Sequence, residues 1–228
     1  MPQDYSATLS SPDARSRFIA QTYTHLLLAA LAFVALGVGF FESGLTERIA
    51  RAVSGVSWLL VLGAFVLVAW GASHLAHSLE SKATQYAGLA LYVLAEALIF
   101  CPLVWWSEAV SPGISSVAAV VAITGFAGLT AIVFATRKDF SFLGPFLAWF
   151  GLIALGLIVC AILFGFTLGP LFSVAMIGLA GASILYDTSN VLHHYDADQY
   201  VAAALELFGS FALLLWYVYR ILPWVGDD

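Results

Sequence analysis

Six ionisable side chains stand within long apolar stretches of this chain: His25, His74, His77, Glu96, Asp187 and Glu206. A charge in hydrocarbon costs about 2.5–3.5 kcal/mol on insertion scales unless it is paired, hydrated or neutralised, so these positions mark proton or ion chemistry. Asp187 precedes His193 by six residues and Glu206 follows Tyr200 by six, which places each about 9 Å from the same end of its helix. The short loop between them makes the two helices antiparallel neighbours, and the spacing predicts two carboxyl groups facing each other at matching depth. Such a pair does not readily carry two charges in a low dielectric. It can share a proton and work as a proton-controlled latch, or offer oxygen ligands transiently to a hard cation such as Ca²⁺. The alternative is that both acids reach hydrated headgroups and serve as helix-end anchors.

Glu96 is placed about 16 Å into its run, near the bilayer midplane, where no loop can solvate it. It is either neutral and hydrogen-bonded or faces a water-filled path, as a relay or transient cation site. His74 and His77 are three apart, hence on one helix face. They are candidates for proton acceptors beside Asp187, for metal ligands, or for solvated helix-end residues. His25 reads as a packing residue and His193 and His194 as loop residues. Cys101 and Cys160 fall within apolar segments and read as small packing residues rather than as a disulfide or a metal site.

These residues require transmembrane helices to hold them. Of 228 residues 62% are hydrophobic and 10% charged, and the mean hydropathy is +0.96. A soluble domain is nearer one-quarter charged, and a core of this size cannot hide the excess, so lipid must solvate the outside. Apolar runs long enough to span start near Phe18, Val56, Tyr86, Ile114, Phe142, Leu171 and Tyr200 and end near Phe40, Leu79, Trp105, Thr136, Phe166, His193 and Leu222. The expected architecture is an all-α membrane protein with seven transmembrane helices at residues 18–222. Polar tails flank it at 1–17 and 223–228, and no cleaved signal peptide is read at the start. Pro112, Pro145, Pro170 and Pro223 punctuate span ends, and Pro102 lies inside the third span. Gly178, Ala180, Gly181, Ala182 and Ser183 permit close approach, which points to a central place for the sixth span. Arg15, Arg17, Lys82, Arg137 and Lys138 outweigh Arg48, Arg51 and Arg220 in the loops, giving an N-in, C-out orientation.

Several function classes drop out. The net charge of −6 and the absence of a basic run argue against nucleic acid as a partner. Lys82 and Lys138 lie in loops, so no span offers a Schiff-base amine for retinal. No Gly-rich loop with Lys cradles a nucleotide phosphate.

Two stretches carry a family resemblance: Ile184–His193, with the run Tyr186-Asp187-Thr188-Ser189-Asn190, and Thr136–Gly144, with Arg137-Lys138-Asp139-Phe140. Both resemble the transmembrane Bax-inhibitor-motif family, bacterial-type members included. The resemblance implies a bundle with the last helix central and wrapped by the other six. It further implies a pH-sensitive passive leak of cations, chiefly Ca²⁺, without a resident cofactor or enzyme activity, and roles in stress tolerance. Some bacterial relatives resemble modulators of a membrane-bound ATP-dependent protease instead. Asp187 matches the family's acidic position in span six. The position of its partner carboxylate in the last span is Ser210 here, with Glu206 one turn before it, and span two offers His74 and His77 where relatives have a basic residue. The expected membrane is the bacterial inner membrane. Two further readings stand beside a leak gated by Asp187: a regulatory membrane protein that docks on another membrane complex, and, more remotely, a zinc hydrolase built from His74, His77, Asp187 and His193.

Overall fold

In the computed structural model, which describes residues 12–78 and 81–225, the chain runs through eight α-helices. They are α1 (Pro12–Glu42), α2 (Leu45–Ser54), α3 (Trp58–Ala76), α4 (Lys82–Val110), α5 (Ile114–Thr136), α6 (Leu143–Phe164), α7 (Pro170–His193) and α8 (Tyr200–Val225). All except α2 are long and apolar enough to cross a membrane. The expected end of the second span at Leu79, residues 1–11 of the N-terminal tail and 226–228 of the C-terminal tail lie outside the described residues. Arg15 and Arg17 belong to the first helix rather than to a tail.

Local chemistry fixes the helix ends. Ser81 caps α4, its hydroxyl accepting from the Thr84 amide at 3.1 Å. The Glu108 carboxylate accepts from the amides of Gly113 at 2.7 Å and Ser115 at 3.0 Å, which satisfies orphan donors at the start of α5. Pro170 opens α7, where its missing N–H costs nothing. The sequence reading passed over α2. Its ten residues are too few and too polar to look like a span, but Thr46 and Ala50 are buried and Glu47 pairs with Arg51 on its outer side at 2.5 Å.

The last helix is the centre of the bundle. In the apolar window of α8, 72% of residues are buried, against 28% for α7 and 11% for α6. The small residues of the sixth span therefore do not make it central; Gly178 has open space beside it. α8 packs against α7, α1, α5, α4 and α3. Ala203, Ala204, Leu207 and Phe208 have no exposed surface, and Phe208 takes the edges of Phe33 and Tyr92. α3 and α4 touch backbone to backbone at Gly88, where a Cβ would stand 2.5 Å from the Ala72 carbonyl oxygen and from the Ala76 nitrogen. Outward, large apolar side chains such as Leu67, Trp70, Trp149, Phe164 and Leu171 are exposed all round. Only lipid makes such a surface tolerable, so the chain is a multi-pass membrane protein. The face bearing the ends of α3, α5 and α7 is called the His194 face below, and the opposite one the Arg220 face.

Candidate functional site

Asp187 sits in the last two turns of α7, against the central helix. Its Oδ2 accepts a hydrogen bond from the Ser210 hydroxyl of α8 at 2.5 Å, and both side chains are buried. Ser210 follows Tyr200 by ten residues, whereas Asp187 precedes His193 by six, so the helices meet about one turn out of level. That offset decides which residue of α8 Asp187 bonds. Glu206, one turn nearer the His194 face, turns instead toward α3. It accepts from the Ser73 hydroxyl at 3.2 Å and lies 3.7 Å from His77 Nε2, about 40% exposed. The direct Asp187–Glu206 hydrogen bond expected from equal depth is not made.

The two histidines of α3 separate as well. His77 faces Glu206, with its Nδ1 2.8 Å from the Ser73 carbonyl oxygen, while His74 points outward and stacks on Trp70. His25 is a packing residue between Tyr86 and Tyr200, bonded to the Gln21 carbonyl at 2.7 Å. His193 bonds the Ser189 carbonyl at 3.0 Å. Among the described residues no three of His, Cys, Asp and Glu converge as metal ligands, so the gathering of His74, His77, Asp187 and His193 that a zinc hydrolase needs is not formed. Cys101 and Cys160 are both free thiols.

Glu96 is buried on the inner side of α4, 7% exposed. Tyr92 stands one turn earlier on the same helix. Its phenol lies against Gly209, where a Cβ would be 2.8 Å from the hydroxyl oxygen. A glycine beside Ser210 thus lets Tyr92 reach the central helix, linking the level of Glu96 to that of Asp187.

Below Asp187 the His194 face is closed by polar ties between elements distant in sequence. Arg15 of α1 donates to the carbonyls of Leu192 at 3.0 Å and Tyr195 at 2.5 Å, capping the end of α7. Asp139, in the α5–α6 loop, accepts from the Ser141 amide at 2.8 Å, from the Ser189 hydroxyl at 3.3 Å and from His194 Nε2 at 3.0 Å. The Phe140 amide donates to the Ser189 hydroxyl at 2.8 Å. Residues 136–144 and 184–193, read separately in the sequence, therefore meet in space. The Ser141 amide and hydroxyl, followed by His194, hold the Asp139 carboxyl down at about 2. Burial holds the Tyr195 phenol above its ordinary range. Lys82 donates to the Asp198 carbonyl and lies over the Tyr200 ring. Sequence reasoning missed Arg15, Ser73, Tyr92, Asp139 and Ser189 as site residues. Neutral hydroxyls give no hydropathy signal, and a loop aspartate reads as solvated.

Two cavities lie at the Arg220 face. A cavity of about 520 Å³ enters between α1, α4, α5 and α8, edged by Glu42, Glu108 and Tyr219 and reaching inward to Phe100. A second, of about 410 Å³, lies beside α2.

The chain matches the family model described as inhibitor of apoptosis-promoting Bax1 over residues 15–225. It is 26% identical to Protein LIFEGUARD 4 of Arabidopsis thaliana over 215 residues, covering 90% of this chain and 83% of that one. It is 28% identical to Bax inhibitor 1 of Schizosaccharomyces pombe over 224 residues, 94% of this chain and 79% of that one. An uncharacterized protein of Pseudomonas aeruginosa, PA2604, shares 32% identity over 116 residues, about half of each chain. The family model takes in every one of the seven spans and both of the stretches that meet at Ser189. The chain belongs to the Bax inhibitor family.

Proposed function

We propose that this protein is a passive, pH-modulated cation leak that conducts Ca²⁺, with Asp187 as the acid that closes its His194 end. The observation that carries the reading is the buried hydrogen bond from Ser210 to Asp187, which ties α7 to the central helix above a face already closed by Arg15, Asp139 and Lys82. A hydroxyl donates most strongly to an ionised carboxylate, so a proton on Asp187 removes the charge assistance and loosens the tie. Acid then opens the path. A cation enters from the Arg220 face past Glu42 and Glu108, passes Glu96 near the midplane and leaves beside Asp187. The excess of Arg and Lys in the loops of the His194 face supports a cytoplasmic place for it, and the membrane of this reading is the bacterial inner membrane.

Reconstitution in liposomes loaded with a Ca²⁺-sensitive dye tests this. The wild type should leak faster as pH falls, and Asp187→Asn, neutral at every pH, should leak fast with a flat profile. An unchanged pH profile in Asp187→Asn, or no flux in the wild type at any pH, overturns the reading.

One observation favours a second reading. With Ser210 opposite Asp187, the pair holds one carboxyl group and not two, so a proton shared between acids is not available at this position. A regulatory protein that docks on another membrane complex, such as an ATP-dependent membrane protease, needs no such proton. Co-purification with that protease from native membranes, together with absent flux, selects it.

A further inference from the structure

The cavity of about 410 Å³ on the Arg220 face belongs to none of the groups assigned above. Its walls include Val53 of α2, Trp58 of α3, Pro102 and Trp106 of α4, and Trp216 and Arg220 of α8. Trp58 and Trp216 stack at 6.3 Å with their planes 22° apart, and Trp106 is 58% exposed. Arg220 is the charged residue among these lining groups. Its guanidinium lies 6.0 Å from the centre of the Tyr217 ring, and among the described residues no carboxylate is within 4.0 Å of it. Two acids of this face are engaged elsewhere: Glu47 with Arg51, and Glu108 with the start of α5.

A guanidinium that pairs with no described carboxylate, five residues from the end of the central helix, therefore faces an indole-walled groove at the depth where indoles meet headgroups. The groove offers two chemistries side by side: an apolar wall for an acyl chain and a planar five-donor cation for a phosphate. We propose that this groove binds one anionic phospholipid, with its phosphate on Arg220 and an acyl chain along Trp58 and Trp216. The occupant is anionic because Arg220 is the charged residue of the lining and no acidic side chain there offsets it. The lipid would tie the amphipathic helix α2 to the central helix, completing the bundle where side chains alone leave it open.

The test is native mass spectrometry of the full chain released from micelles holding equal amounts of phosphatidylglycerol and phosphatidylcholine with identical acyl chains. The wild type should retain one phosphatidylglycerol in preference to phosphatidylcholine by about tenfold, the worth of a charge-assisted phosphate contact. Arg220→Gln should lose the preference, Arg220→Lys should keep part of it, and Arg48→Gln, on the exposed side of α2 at the same face, should keep all of it. A thermal melt of the wild type supplies a second reading that needs no variant: phosphatidylglycerol should raise the midpoint and phosphatidylcholine should not. Equal retention of the two lipids by the wild type, or an undiminished preference in a folded Arg220→Gln, overturns the proposal. The outcome is independent of whether the protein conducts.

Discussion

The two faces of this bundle are built differently. At the His194 face, side chains bridge elements far apart in sequence: Arg15 to Leu192 and Tyr195, Asp139 to Ser189 and His194, and Lys82 to Asp198. At the Arg220 face the polar contacts are local, within α2 or between adjoining helix ends, and two cavities remain. Under the proposed leak, a barrier at the His194 face would open by loosening those few contacts, without unpacking the apolar core around α8. The carboxyl groups follow the same division. Glu42 and Glu108 border a cavity at the Arg220 end, while Asp187 lies buried just inside the His194 end.

The largest blow to the closed face should come from Gly88→Ala. The new methyl would stand 2.5 Å from backbone atoms of Ala72 and Ala76, which cannot rotate away. Forcing α3 from α4 should cost about 3 kcal/mol, the upper range for overpacking, and lower the melting midpoint in detergent. It should also draw Ser73 and His77 away from Glu206 and raise the leak. A wild-type melt would mean that the close approach is not a constraint.

Ser210→Ala comes next. It removes the donor to Asp187 and leaves a buried carboxyl group without that partner, at about 2 kcal/mol. The leak at neutral pH should rise several-fold while the fold survives, and Ser210→Thr should restore the closed state because it keeps the hydroxyl. Liposome flux checks both variants. A closed Ser210→Ala protein would transfer the barrier from this pair to the ties below it.

Arg15→Gln should act more weakly, by about 1 kcal/mol, because the carbonyls it frees at the end of α7 lie near water. Proteolysis at the 194–199 loop should quicken while the Arg220 face stays as it was. Equal loosening of both faces would break the comparison.

The fold was legible in the sequence in uneven measure, and the contrast between the two faces was not. The spans were plain because hydrocarbon selects length and hydropathy directly; α5 begins and ends at the residues read from the sequence, Ile114 and Thr136. The placement of Asp187 and Glu96 inside spans was also plain, and both are buried. Which groups they meet did not follow. Equal depth put Asp187 opposite Glu206, but helix level is set by the 194–199 loop and by docking of the whole of α8, and a shift of one turn delivers Ser210 instead. The α2 helix was missed because its signal is amphipathic and short. Asp139 was read only as part of a resembling stretch, since a tie between a loop and a helix 50 residues further on leaves no periodicity to find.

Asp139→Asn gives the smallest effect and the sharpest pH signature. The carboxyl is held at about 2, below its ordinary value of 3.8, chiefly by the Ser141 amide and hydroxyl with His194 behind them. A group lowered on folding contributes stability that is fully present above its unfolded value and is lost as pH falls through the folded one. The contribution of Asp139 is therefore intact at pH values above 3.8 and disappears on the way down to about 2. If the proposed leak opens at milder pH, the proton responsible goes to a group other than the Asp139 carboxyl. In micelles, the Ser141 amide resonance of the wild type should titrate with a midpoint near 2, and in Asp139→Asn it should be flat. Flux at neutral pH should change less than that of Ser210→Ala, because Phe140 still holds Ser189. If Asp139→Asn instead removed the acid response of the leak, the sensor would be the tie between the loops, and the buried Asp187 would be only its support.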